Sequence, residues 1–319
     1  MEVLLTPEED RLSLFPIKYP HVWQRYKNAL SSFWTVGEVD LSHDLQDWKK
    51  LNPGEQHFIK HVLAFFANSD AIVCDNLVDR FASEVKIREA RCFYGVQVAI
   101  ENIHNEMYAL MIQTLIQDTA ERQSCFNAIK EIECVKKKAK WAQRWIESEE
   151  DFATRLVAFA LVEGIFFSGS FCAIFWLKKR QLLPGLCVSN TLIARDEGMH
   201  QEFATFLFKE MIKDKPPQER IHDMVNDAVA HEIEFVCDAL PVSLIGMSST
   251  EMSKYIKFVA DRILVELGFE KLFFEHNPFD FMIFLGLENK TNFFEHRVTE
   301  YQKAGATASG HTFSQNDDF

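Results

Sequence analysis

The sequence predicts an all-α fold, and three observations support this prediction. Proline and glycine are scarce, at 9 and 12 of 319 residues, so few positions would interrupt a long helix. Apolar residues recur at helical spacing over long stretches, whereas the alternation typical of half-buried strands is nearly absent. In addition, 47% of the residues are hydrophobic, which is enough to bury a large core without disulfide bonds.

The helices can be placed in order along the chain. An extended, proline-punctuated segment over residues 1–20 precedes a first helix near residues 22–33. The run Asn52-Pro53-Gly54-Glu55 predicts the start of a long helix, because it offers an N-cap, a first-turn proline and a glutamate at the third helical position. Further helices are expected at residues 87–117, 120–146 (not necessarily continuous), 148–180, 189–213, 218–239 and 250–267, the last ending at Gly268.

The domain organisation is predicted to be simple. There is no internal repeat, long linker or change of composition before residue 303, so residues 1–303 are expected to form one domain. Residues 304–319 are small and polar, and they are expected to form a flexible tail that cannot bury enough surface to order itself.

Charge and cysteine usage exclude several classes of function. The 47 acidic residues outnumber the 34 basic ones, and the net charge of -13 argues against a nucleic-acid partner. A basic run at residues 136–140 is predicted to be a solvent-exposed helix face. The seven cysteines are isolated and odd in number, as is typical of reduced thiols. No signal peptide is evident, so we predict a cytoplasmic protein.

One apolar stretch, residues 156–177, is long enough to span a membrane. It contains Glu163, Ser168 and Ser170, however, and placing the carboxylate in lipid would cost about 2.5 to 3.5 kcal/mol on insertion scales. A helix surrounded by other helices has the same composition. The stretch therefore predicts a buried core helix with a functional acid, and no membrane partner is expected.

Two Glu-x-x-His motifs offer metal ligands. Glu101 with His104, and Glu197 with His200, are each three residues apart and so share one face of a helix. Each motif follows an apolar stripe, which predicts that it faces the core. A third match, at residues 219–222, lies among charged side chains after two prolines and is predicted to be solvated.

Two further acids, Asp70 and Glu163, also lie on apolar helical stripes. Burying four carboxylates without compensation would be prohibitive, whereas two divalent cations would balance their charge. Oxygen-rich ligation with one imidazole per ion suits iron or manganese better than zinc. We therefore predict a di-metal carboxylate site in a four-helix core, with the ligands Asp70, Glu101, His104, Glu163, Glu197 and His200.

A tyrosine lies beside the predicted site. Tyr108 follows one of the histidines by a single helical turn, so it is within reach of the metal ions and could be oxidised there. Tyr94 is the alternative, two turns before the first motif and about 10 Å away along the helix axis. Phe167 and Phe171 continue the stripe of Glu163 and predict an apolar lining in which a radical could persist.

These residues closely resemble the small, radical-generating R2 subunit of class I ribonucleotide reductase, in its eukaryotic or large-DNA-virus branch. The similarity covers nearly the whole chain. It is carried by residues 32–35, 69–70, 101–108, 162–171, 195–200 and 297–301 and by the terminal Asp-Phe. The resemblance implies a ferritin-like helical bundle.

The resemblance also implies a cofactor and a radical. The six predicted ligands would bind two iron ions per chain, oxo-bridged when oxidised, with manganese as the less expected metal. Reaction with dioxygen would leave a stable tyrosyl radical on Tyr108. Its oxidising equivalent would pass by way of Trp34, which is hydrogen-bonded through Asp196 to His104, and Tyr301 to a cysteine of a separate large subunit. There, ribonucleoside diphosphates are reduced to deoxyribonucleoside diphosphates.

The resemblance further implies two kinds of protein partner. The tail would dock on the large subunit through Phe313 and Phe319, although its middle positions depart from the usual version, which bears on which large subunit it accepts. A homodimer is also expected.

Two other functions stay open. One is a ferritin-like di-iron oxygenase or oxidase with a substrate of its own, which would lack the radical tyrosine or the tail. The other is a non-enzymatic role, as a paralogue that stabilises an R2 partner or as an iron-storage protein. Degenerate paralogues lose ligands, and storage proteins are usually much shorter.

Overall fold

The computed structural model describes residues 2–7, 11–239 and 241–282 of the chain. No strand occurs among these residues, so the predicted all-α fold is confirmed. The α-helices are α1 Pro20–Ser31, α2 Asp44–Trp48, α3 Pro53–Asn76, α4 Ala82–Glu84, α5 Arg88–Leu115, α6 Thr119–Phe126, α7 Ala128–Glu131, α8 Glu133–Ile146, α9 Phe152–Leu161, α10 Ser168–Lys179, α11 Pro184–Met211, α12 Gln218–Ile233 and α13 Ser249–Leu267. There are π-helical turns at Leu77–Phe81, Val162–Phe166 and Glu234–Ala239, and 3₁₀ helices at Val3–Leu5, Val36–Glu38 and Val242–Ile245.

Four long helical segments form the centre of the fold: α3, α5, α11 and the helix Phe152–Lys179, which combines α9, a π turn and α10. α3 packs along α5, both α9 and α10 pack against α11, and α5 also contacts α11. Around them, α1 covers α5, α8 lies against α3 and α9, and α12 and α13 cover the π turn Val162–Phe166. The four central segments thus enclose one interior.

Local sequence signals set several helix ends. At the start of α3, Glu55 N–H donates to the Asn52 side chain at 3.0 Å and Asn52 N–H donates to the Glu55 carboxylate at 2.9 Å, with Pro53 in the first turn. At the other end of the chain, α13 ends at Gly268, whose φ of 94° favours glycine. Both boundaries are those that the sequence predicts.

Other boundaries differ from the prediction, and side-chain contacts explain two of these differences. α11 begins at Pro184, five residues early, because the Asp44 carboxylate of α2 accepts hydrogen bonds from Gly185 N–H at 2.8 Å and Leu186 N–H at 2.7 Å. α9 begins four residues late, where the Asp151 side chain caps the helix. The region predicted at residues 120–146 is broken into α6, α7 and α8.

The helix Phe152–Lys179 is the one helix among the described residues that is long and apolar enough to cross a membrane. Of its most apolar window, 94% is buried inside the bundle. This burial is expected of a core helix that carries a functional acid.

The basic run at residues 136–140 is only partly the exposed face that the sequence predicts. Lys136 and Lys137 are 37% and 48% exposed, but the Lys138 side chain is only 1% exposed, so the predicted solvent-exposed face is wrong at this position. A signal existed, because Lys138 lies three residues after Val135 and seven before Trp145, on the buried stripe of α8.

Several predictions fall on residues 283–319, which lie outside the described residues. These are the role of Tyr301, the docking tail at residues 304–319 and its two phenylalanines, Phe313 and Phe319. The boundary between a domain over residues 1–303 and the tail likewise stays a prediction.

Candidate metal centre

Side chains from four different segments meet in the interior. α3 supplies Asp70, α5 supplies one Glu-x-x-His motif, the π turn Val162–Phe166 supplies Glu163, and α11 supplies the second motif. All six residues are at most 3% exposed: Asp70, Glu101, His104, Glu163, Glu197 and His200. The structure therefore brings together all six residues that the sequence predicts as ligands.

The six side chains form two adjoining groups. Ligand atoms of Glu101, Glu163, Glu197 and His200 all lie within 4.8 Å of one another, and the same holds for Asp70, Glu101 and His104. Glu101 belongs to both groups. The arrangement therefore has room for two neighbouring cations that share a carboxylate.

Two glutamates lie between the two imidazoles. The Glu101 oxygens are 3.0 Å from His200 Nδ1 and 3.4 Å from His104 Nδ1. The Glu197 oxygens are 3.0 Å from His104 Nδ1 and 3.2 Å from His200 Nδ1. Each glutamate thus turns one oxygen toward each histidine, which is the placement expected of carboxylates that bridge two ions.

Many polar atoms of this cluster have no hydrogen-bond partner although they are buried. They include both oxygens of Asp70 and of Glu101, one oxygen each of Glu163 and Glu197, and His104 Nδ1. Buried polar atoms without partners are rare and costly, so their concentration at one point indicates a missing partner. Four carboxylates and two imidazoles fit two divalent cations with a preference for oxygen-rich ligation.

The electrostatics of the cluster agree with this interpretation. Burial raises the pKa of Asp70 well above its usual value, and the charge of Glu101 raises it further. Burial and the charge of Glu197 raise the pKa of Glu163 in the same way. For Glu197, burial acts upward, but its close contacts with Glu163, His104 and His200 hold its pKa below the usual value. Without cations the cluster therefore holds protons, which metal binding would release.

One histidine connects the cluster to a buried tryptophan. His104 Nε2 lies 3.3 Å from an oxygen of Asp196, and Trp34 Nε1 donates to the same oxygen at 2.7 Å. The Arg195 guanidinium donates to the other oxygen at 2.8 Å. Because Nε2 faces Asp196, Nδ1 is directed at the carboxylate cluster. These contacts link Trp34 and Asp196, two of the three residues that the resemblance places on an electron-transfer path.

Tyr108 lies in an aromatic pocket beside the cluster. Its ring stacks on Phe66, with centroids 4.7 Å apart and planes 6° from parallel, and Phe66 in turn contacts Phe167 and Phe171. The Tyr108 hydroxyl is buried without a hydrogen bond. Burial, and then the negative charge of Asp70, raise the pKa of Tyr108 well above its usual value, so the phenol is neutral.

Tyr94 differs from Tyr108 in its electrical surroundings. It is equally buried, and its hydroxyl also lacks a partner, but its ring packs against Phe81 and Phe203. Burial alone raises the pKa of Tyr94, whereas three carboxylates of the cluster act on Tyr108. Of the two tyrosines, Tyr108 is the one next to the candidate metal centre.

The third Glu-x-x-His match does not join the centre. Glu219 is exposed, and His222 Nε2 contacts the Glu270 carbonyl at 3.0 Å. Neither residue belongs to the two groups of candidate ligands found among the described residues. This agrees with the interpretation of residues 219–222 as a solvated face.

One buried partner of a candidate ligand was not predicted from the sequence. Gln97 donates from Nε2 to a Glu163 oxygen at 3.4 Å and is almost completely buried. A signal existed, because Gln97 precedes Glu101 by one helical turn on the same face of α5. A polar residue at this spacing on a core-facing stripe is a candidate for orienting a metal ligand.

The fold and the site together define a ferritin-like helical bundle with a di-metal carboxylate centre. A family model described as "Ribonucleotide reductase, small chain" matches residues 11–278. The chain belongs to this family. The family, the enzyme class and the fold class inferred from the sequence are thereby confirmed.

Individual relatives agree with the family assignment. The chain is 58% identical over 321 residues to the ribonucleoside-diphosphate reductase small chain of Trypanosoma brucei brucei, covering 100% of this chain and 95% of that one. It is 56% identical over 320 residues to the corresponding small chain of Vaccinia virus (strain Ankara), covering all of both chains. Among solved structures, the ribonucleotide reductase Rnr4 homodimer from Saccharomyces cerevisiae matches with a TM-score of 0.82 and 35% identity, over 91% of this chain and 92% of that one.

Proposed function

We propose that this chain generates and holds a tyrosyl radical at Tyr108 with the help of two iron ions. In this proposal, the oxidising equivalent passes to a separate large subunit that reduces ribonucleoside diphosphates to deoxyribonucleoside diphosphates. The observation that carries the proposal is the convergence of buried, unpartnered ligand atoms beside a buried tyrosine whose hydroxyl also has no partner.

The proposed ligands are the six residues of the cluster. Glu101 and Glu197 would help to hold both ions, since each turns one oxygen toward each imidazole. Asp70 belongs to the group of His104, and Glu163 belongs to the group of His200, so each ion would gain one terminal carboxylate. Two bound iron ions would supply the one-electron oxidant after reaction with dioxygen. The donor set suits iron, and manganese is the alternative to be tested.

The protein surroundings of Tyr108 favour a long-lived radical. Oxidation removes one electron from the ring and the proton from the hydroxyl oxygen. Phe66, Phe167 and Phe171 exclude water from the ring and carry no group that gives up a hydrogen atom as readily as a phenol. The low polarity of this pocket also keeps the phenol protonated until it is oxidised.

The contacts of His104 support a path by which an electron enters the bundle as the oxidising equivalent leaves it. The hydrogen bonds from His104 through Asp196 to Trp34 form a continuous buried connection. Trp34 adjoins Phe33, which is 46% exposed, so the connection ends close to the surface. We assign Trp34 and Asp196 to electron transfer, with Tyr301 as the later residue that the family pattern supplies.

Electron paramagnetic resonance tests the radical. Metal-free protein loaded with Fe(II) and exposed to air should give a tyrosyl doublet. The doublet should vanish in Tyr108→Phe while the iron content stays at two ions per chain. Tyr94→Phe is the matched control, because Tyr94 is an equally buried tyrosine of α5. The doublet should persist in this variant. A doublet that survives in Tyr108→Phe and disappears in Tyr94→Phe would contradict the assignment.

Truncation tests the proposed partner. Deleting residues 312–319 should leave the radical signal intact and abolish nucleotide reduction with the large subunit. Full turnover by the truncated chain would refute docking through the tail.

We also propose that the chain forms a homodimer. The related yeast Rnr4 protein, which shares the fold over 91% of this chain, is a homodimer, and this likeness supports the proposal. Sedimentation analysis would test it, and a chain that sediments as a monomer at all concentrations would contradict it. Cytoplasmic localisation stays a prediction.

A further inference from the structure

A buried ion pair lies outside the candidate metal centre. Lys138 of α8 and Glu232 of α12 are in contact at 2.6 Å, and their side chains are 1% and 0% exposed. Taking two charges out of water is costly, and such a pair is often no better for stability than apolar side chains of similar size. Stability alone therefore does not explain the pair, and its other contacts indicate its role.

Both members of the pair also bind the backbone of the helix Phe152–Lys179. Lys138 Nζ donates to the Phe166 carbonyl, and Glu232 accepts from Gly169 N–H at 3.1 Å. Phe166 is the last residue of the π turn, and Gly169 lies in the first turn of α10. The pair thus holds the backbone on both sides of the junction between the π turn and α10.

A π turn creates a need for such contacts. It contains one residue more than an α-helical turn, so the regular sequence of backbone hydrogen bonds is interrupted where the α-helix resumes. Buried backbone groups at an interruption must find partners elsewhere. Gly169 makes the contact feasible, because a Cβ atom at this position would lie 2.6 Å from the Glu232 oxygen.

The same junction adjoins two parts of the candidate centre. Glu163 is the second residue of the π turn, three residues before Phe166. The ammonium group of Lys138 also lies 3.7 Å from the centroid of the Phe65 ring, which contacts Phe167 in the pocket wall. Lys138 therefore touches both the turn that carries a candidate ligand and the aromatic layer behind Tyr108.

We propose that Lys138 and Glu232 are positioning residues that hold the π turn Val162–Phe166 in the register that directs Glu163 at the metal centre. The proposal rests on the metal-binding role proposed above for Glu163, but not on the radical. A purely structural pair would have no effect on metal binding once the fold is preserved. A positioning pair would alter it.

Metal binding and amide exchange test the proposal. The double variant Lys138→Met with Glu232→Leu leaves no unpaired charge, so it should fold. Calorimetric titration of the metal-free protein with Mn²⁺ should show binding weakened by about tenfold or more, as is typical when a group that orients a ligand is lost. Hydrogen exchange should be faster in the peptide spanning residues 162–171.

Two further variants keep the test decisive. Glu232→Gln is the conservative variant, which retains an acceptor for Gly169 N–H but removes the counter-charge of Lys138. Its loss of affinity should be measurable and smaller than that of the double variant. Arg155→Met is the matched control, because it removes an ion pair with Glu84 from the same helix, eight residues before Glu163, and it should bind Mn²⁺ as the wild type does.

The outcomes separate the two proposals. Wild-type affinity and exchange in the folded double variant, or in Glu232→Gln if the double variant does not fold, would overturn the positioning role and leave the proposed function intact. If the wild-type protein itself failed to bind two Mn²⁺ or Fe²⁺ ions, the metal-binding role of Glu163 would be wrong, and the positioning role would be refuted with it.

Discussion

Glu89 and Asp70 are both buried carboxylates, but they differ in their hydrogen bonds. Glu89 accepts two hydrogen bonds from the Arg11 guanidinium, at 2.6 and 2.8 Å, and one from Lys18 N–H at 2.8 Å. Neither oxygen of Asp70 has a hydrogen-bond partner. The protein supplies everything that Glu89 needs, whereas Asp70 requires a partner from outside the chain.

The pKa values of the two acids express the same difference. Burial raises the pKa of Glu89, but the hydrogen bonds from Arg11 and from the backbone N–H groups of Lys18 and Tyr19 together outweigh this effect and lower the pKa to about 2. Burial raises the pKa of Asp70 as well, and the neighbouring carboxylate of Glu101 adds to the rise. Equal burial therefore does not distinguish a structural acid from a functional one, but the state of its oxygens does.

The largest effect that we expect is on metal binding, which should distinguish the candidate metal centre from the surroundings of Glu89. Glu101→Gln removes a carboxylate shared by both groups of ligands. It should weaken Mn²⁺ binding by about 100-fold or more. This loss of affinity is at or beyond the upper end of the range found when a group that orients a metal ligand is removed. Glu89→Gln is the control and should bind two ions normally. Calorimetric titration of the two metal-free variants measures their affinities for Mn²⁺. Equal affinities would contradict the distinction between the metal centre and the surroundings of Glu89.

The second effect is on the stability of the metal-free protein. Here the substitution of Glu89 should have the larger effect, and the substitution in the metal centre the smaller one. Glu89→Gln leaves the buried Arg11 without its counter-charge and should lower the free energy of unfolding by about 3 kcal/mol. Asp70→Asn removes a carboxylate that makes no hydrogen bond, so it should leave stability unchanged or raise it. Urea unfolding of the two variants provides the comparison. A large loss of stability in Asp70→Asn would mean that its oxygens do have a partner within the protein.

The third effect is a dependence of stability on pH. The pKa of Glu89 is lower in the folded chain than its usual value of 4.5, so its contribution is complete above about pH 4.5 and is lost as the pH falls toward 2. The wild-type protein should therefore lose about 3 kcal/mol more than Glu89→Gln between pH 5 and pH 2. Parallel stability curves for the two proteins over this range would contradict the assigned pKa.

The smallest effect is expected at the solvated Glu-x-x-His match. His222→Ala should change the free energy of unfolding by less than about 0.5 kcal/mol, because the substitution removes a single contact at the surface. It should also leave Mn²⁺ binding unchanged, in contrast with His104→Ala. A loss of bound metal in His222→Ala would show that the sequence motif alone, and not its burial, determines metal binding.

Much of the fold follows from local sequence. The reciprocal hydrogen bonds of Asn52 and Glu55 and the glycine at position 268 are encoded within a few residues of the boundary that they set. The site could also be located, because a polar residue on an apolar stripe is conspicuous in a single helix. Such signals need no knowledge of the tertiary structure.

The rest depends on contacts between distant segments. The start of α11 is set by Asp44, which lies about 140 residues earlier in the chain. The burial of Lys138 depends on Glu232, 94 residues later, since a lone lysine on a buried stripe is more often a solvated one. The π turns carry no evident signal in their own residues, because an extra residue in a helix leaves no mark on composition.

The π turn Val162–Phe166 has a geometrical consequence for the whole helix Phe152–Lys179. Each residue advances a helix by about 100°, so one additional residue changes the direction of every side chain that follows it relative to those before it. The two halves of the helix can therefore pack against different neighbours. Deleting a single residue from this turn would leave the sequence apolar and helical, yet it would turn Phe171 away from Phe66.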